Sequence, residues 1–221
     1  MLILDELAEF KPSVIDSIRQ PMEDKKVLIS RVQGSIQYPA DFVLCAATNP
    51  CKCGFYPDRA KCSCTEIQVK NYLGKISKPI LDRIDICIET ALPRYNDLRG
   101  VNPNKSSEQI RKEVERVREI QYKRLGSEGI NFNSDMNSSM IDEYCRLSKE
   151  DEKFLEHFYD AKGISARGLN KILKVARTIA DYENCENIEH KHLCEAITYR
   201  NLEEKYWGGE KIEPKFAVRK I

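Results

Sequence analysis

The apolar run Leu2-Ile3-Leu4 ends in two adjacent carboxylates, Asp5 and Glu6. A buried strand that delivers an Asp to a Mg²⁺ shell, beside a second carboxylate able to polarise the attacking water, is the Walker B arrangement of nucleoside-triphosphate hydrolysis. Asp5 takes the first role in that reading and Glu6 the second. A solvated strand end has the same pattern, so the run gains weight only from the polar residues that follow it. Asn49 closes a later apolar run and has the side chain needed to hold a water beside a γ-phosphate, although Asn before Pro50 is also an ordinary turn starter. Arg83, next to Asp82, is either half of a surface ion pair or a cation presented to a neighbouring subunit's nucleotide. Ser165 is a good helix N-cap, which puts Arg167 in a first turn, where the helix dipole gives a cation nothing. Such a placement suits a nearby anion.

Cys51, Cys53, Cys62 and Cys64 form two Cys-x-Cys pairs on either side of an eight-residue loop. Four thiolates so close in sequence can close a tetrahedral Zn²⁺ site, and Pro50, Gly54 and Pro57 supply the turns. A Cys-x-Cys pair alternates sides unless the backbone turns tightly, which leaves free or redox-labile thiols as the alternative. Cys45, Cys87, Cys145, Cys185 and Cys194 fall on apolar or helical faces and read as core or inert surface residues. His190 and His192 flank a helix start without matching ligands in sequence, and no role is assigned to them.

A phosphate-cradling loop needs Gly-x-x-x-x-Gly-Lys-Ser/Thr. The sole Gly-Lys pair is Gly74-Lys75, with Val69 and Ile76 where a Gly and a hydroxyl residue are required. Since such a loop lies upstream of Walker B, the expectation is the C-terminal part of a larger ATPase, or the product of a truncated or internally started gene. Autonomous ATPase activity of this chain alone is not expected.

The elements that position these residues follow from periodicity. Residues 12–22 read as a helix with Pro12 in its first turn, residues 26–31 and 35–38 as a β-hairpin, and residues 42–48 as a second buried parallel strand. Thr65 caps a helix through residue 73, and residues 85–89 read as a third strand. Residues 92–107, with Pro, Gly, Asn and Ser, have linker composition. Helical patterns then occupy 108–124, 136–145, 149–160 and 188–205. The clearest amphipathic stripe is Leu169, Ile172, Leu173, Ala176, Ile179 and Ala180. The tail beyond Trp207 reads as loose.

The 36 basic and 35 acidic residues leave a formal charge of +1, so no global field argues for nucleic acid or an anionic membrane. No stretch approaches the length of a membrane span, and no signal-peptide pattern opens the chain. A cytoplasmic location is the default. Nine cysteines in a reducing compartment point to clustered metal ligands more than to disulfides.

The order of these motifs closely resembles the magnesium-chelatase-like AAA+ ATPases of the ComM/YifB type. The matching stretches are Leu4-Asp5-Glu6-Leu7, Arg19-Gln20-Pro21-Met22-Glu23-Asp24, Ile29-Ser30-Arg31, Asn49-Pro50-Cys51-Lys52-Cys53-Gly54, Leu81-Asp82-Arg83-Ile84-Asp85, Ser165-Ala166-Arg167-Gly168 and Val175-Ala176-Arg177-Thr178-Ile179-Ala180-Asp181. Lys52 and Lys78 stand where such proteins often carry Pro and Gly.

The resemblance implies an α/β fold, the C-terminal part of a P-loop AAA+ core with a helical lid domain. It implies a partial core over residues 1–95, a linker over 96–106, a lid over 107–205 and a tail over 206–221. It makes Asp5 and Glu6 Walker B, with Asp5 reaching Mg²⁺ through water, Asn49 sensor 1, Arg83 the arginine finger in trans and Arg167 the nucleotide-binding sensor 2 in cis. It further implies ATP and Mg²⁺ as cofactors, a homo-oligomeric hexameric ring, a hairpin around Arg31 facing the pore, and DNA remodelling by branch migration. A magnesium-chelatase motor subunit and a non-catalytic, zinc-stabilised interaction fragment are the alternatives. The Cys-rich loop favours the ComM-like branch over the chelatase one.

Overall fold

The computed structural model describes residues 1–32, 34–91, 95 and 105–207. They divide into two compact units, Met1–Ile84 together with the chain from Leu202, and Asp85–Asn201. The first mixes strands and helices and the second is helical, so the chain is α/β. Among the described residues no helix is long and apolar enough to cross a membrane. Residues 96–104 of the linker expected over 96–106 and the tail beyond Trp207 lie outside them.

In the first unit β1 (Leu2–Leu4) pairs in parallel with β4 (Leu44–Ala46), in the register Leu2↔Leu44, Ile3↔Cys45, Leu4↔Ala46. Parallel neighbours need a long crossover, and here it holds α1 (Pro12–Ser17), α2 (Arg19–Asp24) and an antiparallel hairpin of β2 (Lys26–Arg31) with β3 (Gly34–Pro39). The expected single helix over 12–22 is therefore two. Pro21 has no N–H to give the Ser17 carbonyl, and the helix stops there. Gly34, at φ +146°, reopens the hairpin in a conformation that only glycine takes easily. The hairpin is exposed on both faces, with Leu28, Ile29, Val32 and Ile36 open to solvent.

The apolar run 42–48 contracts to the three residues of β4, and its expected burial is not observed. Ile3 is 68% and Val43 67% exposed, because no described element covers that face of the ladder. The expected strand at 85–89 is also absent. From this stretch the Cys87 N–H donates to the Tyr199 carbonyl at 3.0 Å.

The core of this unit gathers Leu7, Ala8 and Ile15 with Val69, Tyr72 and Leu73 of α3 (Glu66–Leu73) and Ile80 and Leu81 of α4 (Lys78–Leu81). Thr65 opens α3 through a capping box with Gln68. The Trp207 indole N–H donates to the Leu73 carbonyl at 2.9 Å.

The second unit packs α5 (Ser107–Leu125), α6 (Ser138–Tyr144), α7 (Lys149–Lys162), α8 (Ala166–Tyr182) and the first part of α9 (His190–Trp207) around Leu125, Ile141, Leu155, Ile172, Ala176 and Leu193. Ser106, Asn137, Ser148 and Ser165 cap the first four of these helices. Within that core Asp181 is 1% exposed. Arg124 donates to both of its oxygens at 2.7 and 2.6 Å, Asn133 at 2.9 Å and Arg177 at 3.1 Å. Arg177 also donates to the Cys185 and Glu186 carbonyls at 2.6 and 2.7 Å.

Removing that carboxylate strands two guanidinium groups in the core. Asp181→Ala is expected to destabilise the second unit by about 3–5 kcal/mol, the range for breaking a buried ion pair from one side. The urea unfolding midpoint measures it, and a loss under about 1 kcal/mol would show the network to be dispensable.

Candidate active site and metal centre

Parallel pairing sends both strands toward the same edge. The Ala47 N–H donates to the Leu4 carbonyl at 2.9 Å, and the Leu7 N–H returns a bond to the Ala47 carbonyl at 2.8 Å. Asp5 and Glu6 therefore leave the end of β1 beside Thr48 and Asn49 leaving the end of β4. All four are exposed, at the carboxyl ends of adjacent parallel strands, where open α/β sheets take their ligands. Glu6 has φ +51°, a left-handed backbone that costs a non-glycine residue about 1–2 kcal/mol. The Asp5 Oδ1 accepts from the Glu6 N–H at 3.0 Å. Leu7 and Ala8, immediately after the carboxylates, are buried and anchor the turn.

Lys75, of the sole Gly-Lys pair, donates to the Ala8 carbonyl at 2.9 Å and lies 4.0 Å from Glu9. Its role is to hold this turn. Beneath the same edge the Tyr72 phenol is pushed up, first by burial and then by its hydrogen bond to Glu9.

Arg83 follows α4 and is not at this edge. Its guanidinium pairs with Glu23 and donates to the Pro79 carbonyl at 2.6 Å. Asp16, Ser17, Arg19, Gln20 and Glu23 line the surface cleft around it. Arg167 is exposed in the first turn of α8 in the second unit, where Ser165 Oγ accepts from the Gly168 N–H at 3.1 Å.

The four clustered cysteines do converge. Cys51 and Cys53 Sγ are 3.3 Å apart, Cys53 and Cys62 3.5 Å, and Cys51 and Cys62 3.8 Å, and all four sulfurs, Cys64 included, lie within 4.8 Å of one another. These separations are too long for a disulfide. A tetrahedral Zn²⁺ with bonds of about 2.3 Å has sulfur–sulfur edges of roughly 3.8 Å, so the residues fit the metal. The alternation of the Cys51/Cys53 pair is overcome by tight turning: the Gly54 N–H closes back on the Cys51 carbonyl at 3.0 Å, with Gly54 at φ +83°. The Tyr56 N–H reaches Cys51 Sγ at 3.5 Å, and Arg59 ties the loop's end by donating to the Cys64 carbonyl at 3.1 Å. Cys51 is fully buried and belongs to the first unit's core. The Phe55 backbone N–H chiefly lowers Cys53 to about 6, while burial chiefly raises Cys62 to about 11.

Sequence reasoning left the histidines without roles, and both have partners. His192, fully buried, accepts on Nδ1 from the Glu189 N–H at 3.0 Å and meets Glu183 Oε2 with Nε2 at 3.2 Å. With Nδ1 accepting, Nε2 carries the proton, so His192 caps α9 instead of ligating a metal, although Cys185 lies close enough to complete a three-residue group. Its signal was its position, three residues after the N-cap Glu189.

Two family profiles match successive parts of the chain: "Magnesium chelatase, subunit ChlI" over residues 1–98 and "Magnesium chelatase, subunit ChlI C-terminal" over residues 104–200. The chain is 40% identical to the competence protein ComM of Haemophilus influenzae over 203 residues, covering 91% of this chain and 39% of that protein. It is 38% identical to the uncharacterized protein YifB of Escherichia coli over 204 residues, 92% of this chain and again 39% of the relative. An uncharacterized protein of Mycobacterium tuberculosis is 30% identical over 200 residues. The chain thus spans about two fifths of the length of the curated relatives it matches.

Protein purified without chelators is expected to carry one Zn²⁺ per chain, and Cys62→Ser with Cys64→Ser to lose it. Ligation requires the Cys62 thiol, raised to about 11, to give up its proton. Apparent zinc affinity should therefore fall as pH drops. Metal analysis across a pH series checks this. Zinc near zero with four titratable thiols would leave an ordinary cysteine-rich loop.

Proposed function

Because this chain belongs to the magnesium-chelatase-like family that includes ComM and YifB, we propose that it forms the C-terminal part of an AAA+ motor subunit that hydrolyses ATP. The observation that carries this reading is the parallel β1–β4 ladder, which delivers Asp5, Glu6 and Asn49 to one edge. In the proposal the first unit is the end of the P-loop core and the helical unit is its lid.

Each residue has a distinct task in that reading. Asp5 is the residue that would hold Mg²⁺ through water, and the ion would supply charge neutralisation for the phosphates. The Glu6 carboxylate accepts hydrogen bonds from the attacking water and orients it, with its left-handed backbone turning the side chain out of the strand direction. Asn49 fixes the same water from the neighbouring strand end. Arg167 offers a cation to the subunit's own nucleotide. Arg83 serves the nucleotide of the next subunit in a hexameric ring, which requires it to exchange Glu23 for phosphate. That exchange favours the more highly charged partner and ties ring assembly to nucleotide.

Cys51, Cys53, Cys62 and Cys64 would hold Zn²⁺ two residues beyond Asn49, where the ion would steady the sensor's backbone instead of taking part in hydrolysis. The family resemblance, with a competence protein among the relatives, supports DNA as the material on which the ring acts, by migrating branched junctions. The exposed hairpin of β2 and β3 is the element proposed to face the pore.

The test uses this chain joined behind a segment that supplies a phosphate loop upstream of Asp5. Glu6→Gln is expected to reduce turnover by about 10²-fold or more, and Arg83→Ala by about 10³-fold. Rings mixed from the two variants should recover part of the activity, since each supplies what the other lacks across an interface. Arg83→Ala rings that hydrolyse at the unmutated rate would overturn the trans assignment. Turnover indifferent to branched DNA would overturn the DNA reading.

A further inference from the structure

Outside the proposed ATPase residues, the helical unit brings a nucleophile, a base and a carboxylate into one line. His190 is the first residue of α9 and Cys194 lies one turn further along the same helix. His190 Nε2 is 3.3 Å from Cys194 Sγ, and His190 Nδ1 is 2.6 Å from Asp151 Oδ1 on α7. Asp151 is buried, and its second oxygen accepts from the Ser148 hydroxyl at 2.8 Å. The Phe154 ring packs edge-on against the imidazole, with centroids 5.0 Å apart. His190 itself is 61% exposed in its side chain and Cys194 is half-buried, so a small molecule can reach the pair.

An ionised carboxylate only accepts, so Nδ1 carries the imidazole proton and Nε2 presents its lone pair to the thiol. This is the nucleophile–base–orienter geometry in which a side chain is activated at the moment of attack. We propose that Cys194 is a nucleophilic modification site for low-molecular-weight disulfides, with His190 as its base and Asp151 as the positioning residue.

Cys194 Sγ attacks one sulfur of the disulfide while its proton passes to His190 Nε2. The S–S bond breaks, the departing sulfur takes the proton back from the imidazolium, and the products are a mixed disulfide at Cys194 and one free small thiol. Cys194 is oxidised and the small disulfide reduced, with no further reagent. Burial and the Asp151 charge push the Cys194 thiol up, so it reacts through this proton transfer and not as a standing thiolate.

The experiment exposes the folded chain to oxidised glutathione and follows each cysteine by peptide mass mapping, with Cys185 of the same unit as internal reference. Cys194 is expected to form its mixed disulfide at least about 10-fold faster than Cys185. His190→Gln, a change at an exposed position, should lower the Cys194 rate by about 10-fold and leave Cys185 unchanged. Asp151→Asn should likewise slow Cys194 alone. A loosened fold would instead raise both rates together, and that result would overturn the positioning role. A Cys194 rate unaffected by His190→Gln would overturn the proposal as a whole.

Discussion

The parallel ladder between β1 and β4 is the constraint on which the chemistry proposed for the first unit depends. Had these strands run antiparallel, Asp5 and Asn49 would sit at opposite edges, and no loop in between could reunite them. The pairing is short, so its continuation matters: the Leu4, Ala47 and Leu7 main-chain groups carry hydrogen bonding past the last paired residues. A slip of one residue would exchange the faces of every side chain. Leu7 and Ala8 oppose that slip, because both are buried directly after the two carboxylates. The left-handed backbone at Glu6 is the transition between an extended strand and this buried turn. Strain of that kind persists only where packing on both sides fixes it.

Beyond Asn49 the chain does not wander into solvent. Cys51, two residues on, is inside the core, and three further sulfurs gather around it. The polar end of β4 is thus held between a hydrogen-bonded ladder and a buried thiol. Arg59 and the α3 capping box close the far side of the same loop. A loop that would otherwise be free to move is fixed at both ends, which is what the role proposed for Asn49 at its start requires.

The helical unit is organised around a different kind of constraint, a buried carboxylate that cannot be left unpaired. Asp181 draws Arg124 from α5, Asn133 from the following loop and Arg177 from its own helix, and Arg177 in turn secures the Cys185 and Glu186 carbonyls. The net effect is directional: apolar packing brings α5 and α8 together, while the network admits one relative rotation of them. The stretch Val175 to Asp181, matched as a motif, is therefore largely fold machinery. The same unit uses His192 to cap α9 and aligns His190 between Asp151 and Cys194.

By itself the sequence determined the local structure and the identity of the chemical groups. Ser165 and Thr65 marked helix starts because a side-chain oxygen satisfies an otherwise orphaned N–H. Pro21 already carried the reason for splitting α1 from α2, and the 3.6-residue stripe of α8 announced its buried face. The Asp5-Glu6 pair, Asn49 and the four cysteines were legible as candidates because few residue types serve such chemistry. Family membership followed from their order. Tertiary structure alone decided the rest. Spacing could not say that two Cys-x-Cys pairs would turn to one point, since that depends on hydrogen bonds made by Gly54 and Tyr56. Nor could it say that Arg83 would meet Glu23, distant in sequence, or that residues 85–89 would not form a strand. The exposure of Ile3 and Val43 was equally hidden, because an apolar strand reads as buried whether or not another element covers it. The roles of His190 and Asp151 were out of reach for the same reason: a contact between two helices leaves no periodic trace in either one.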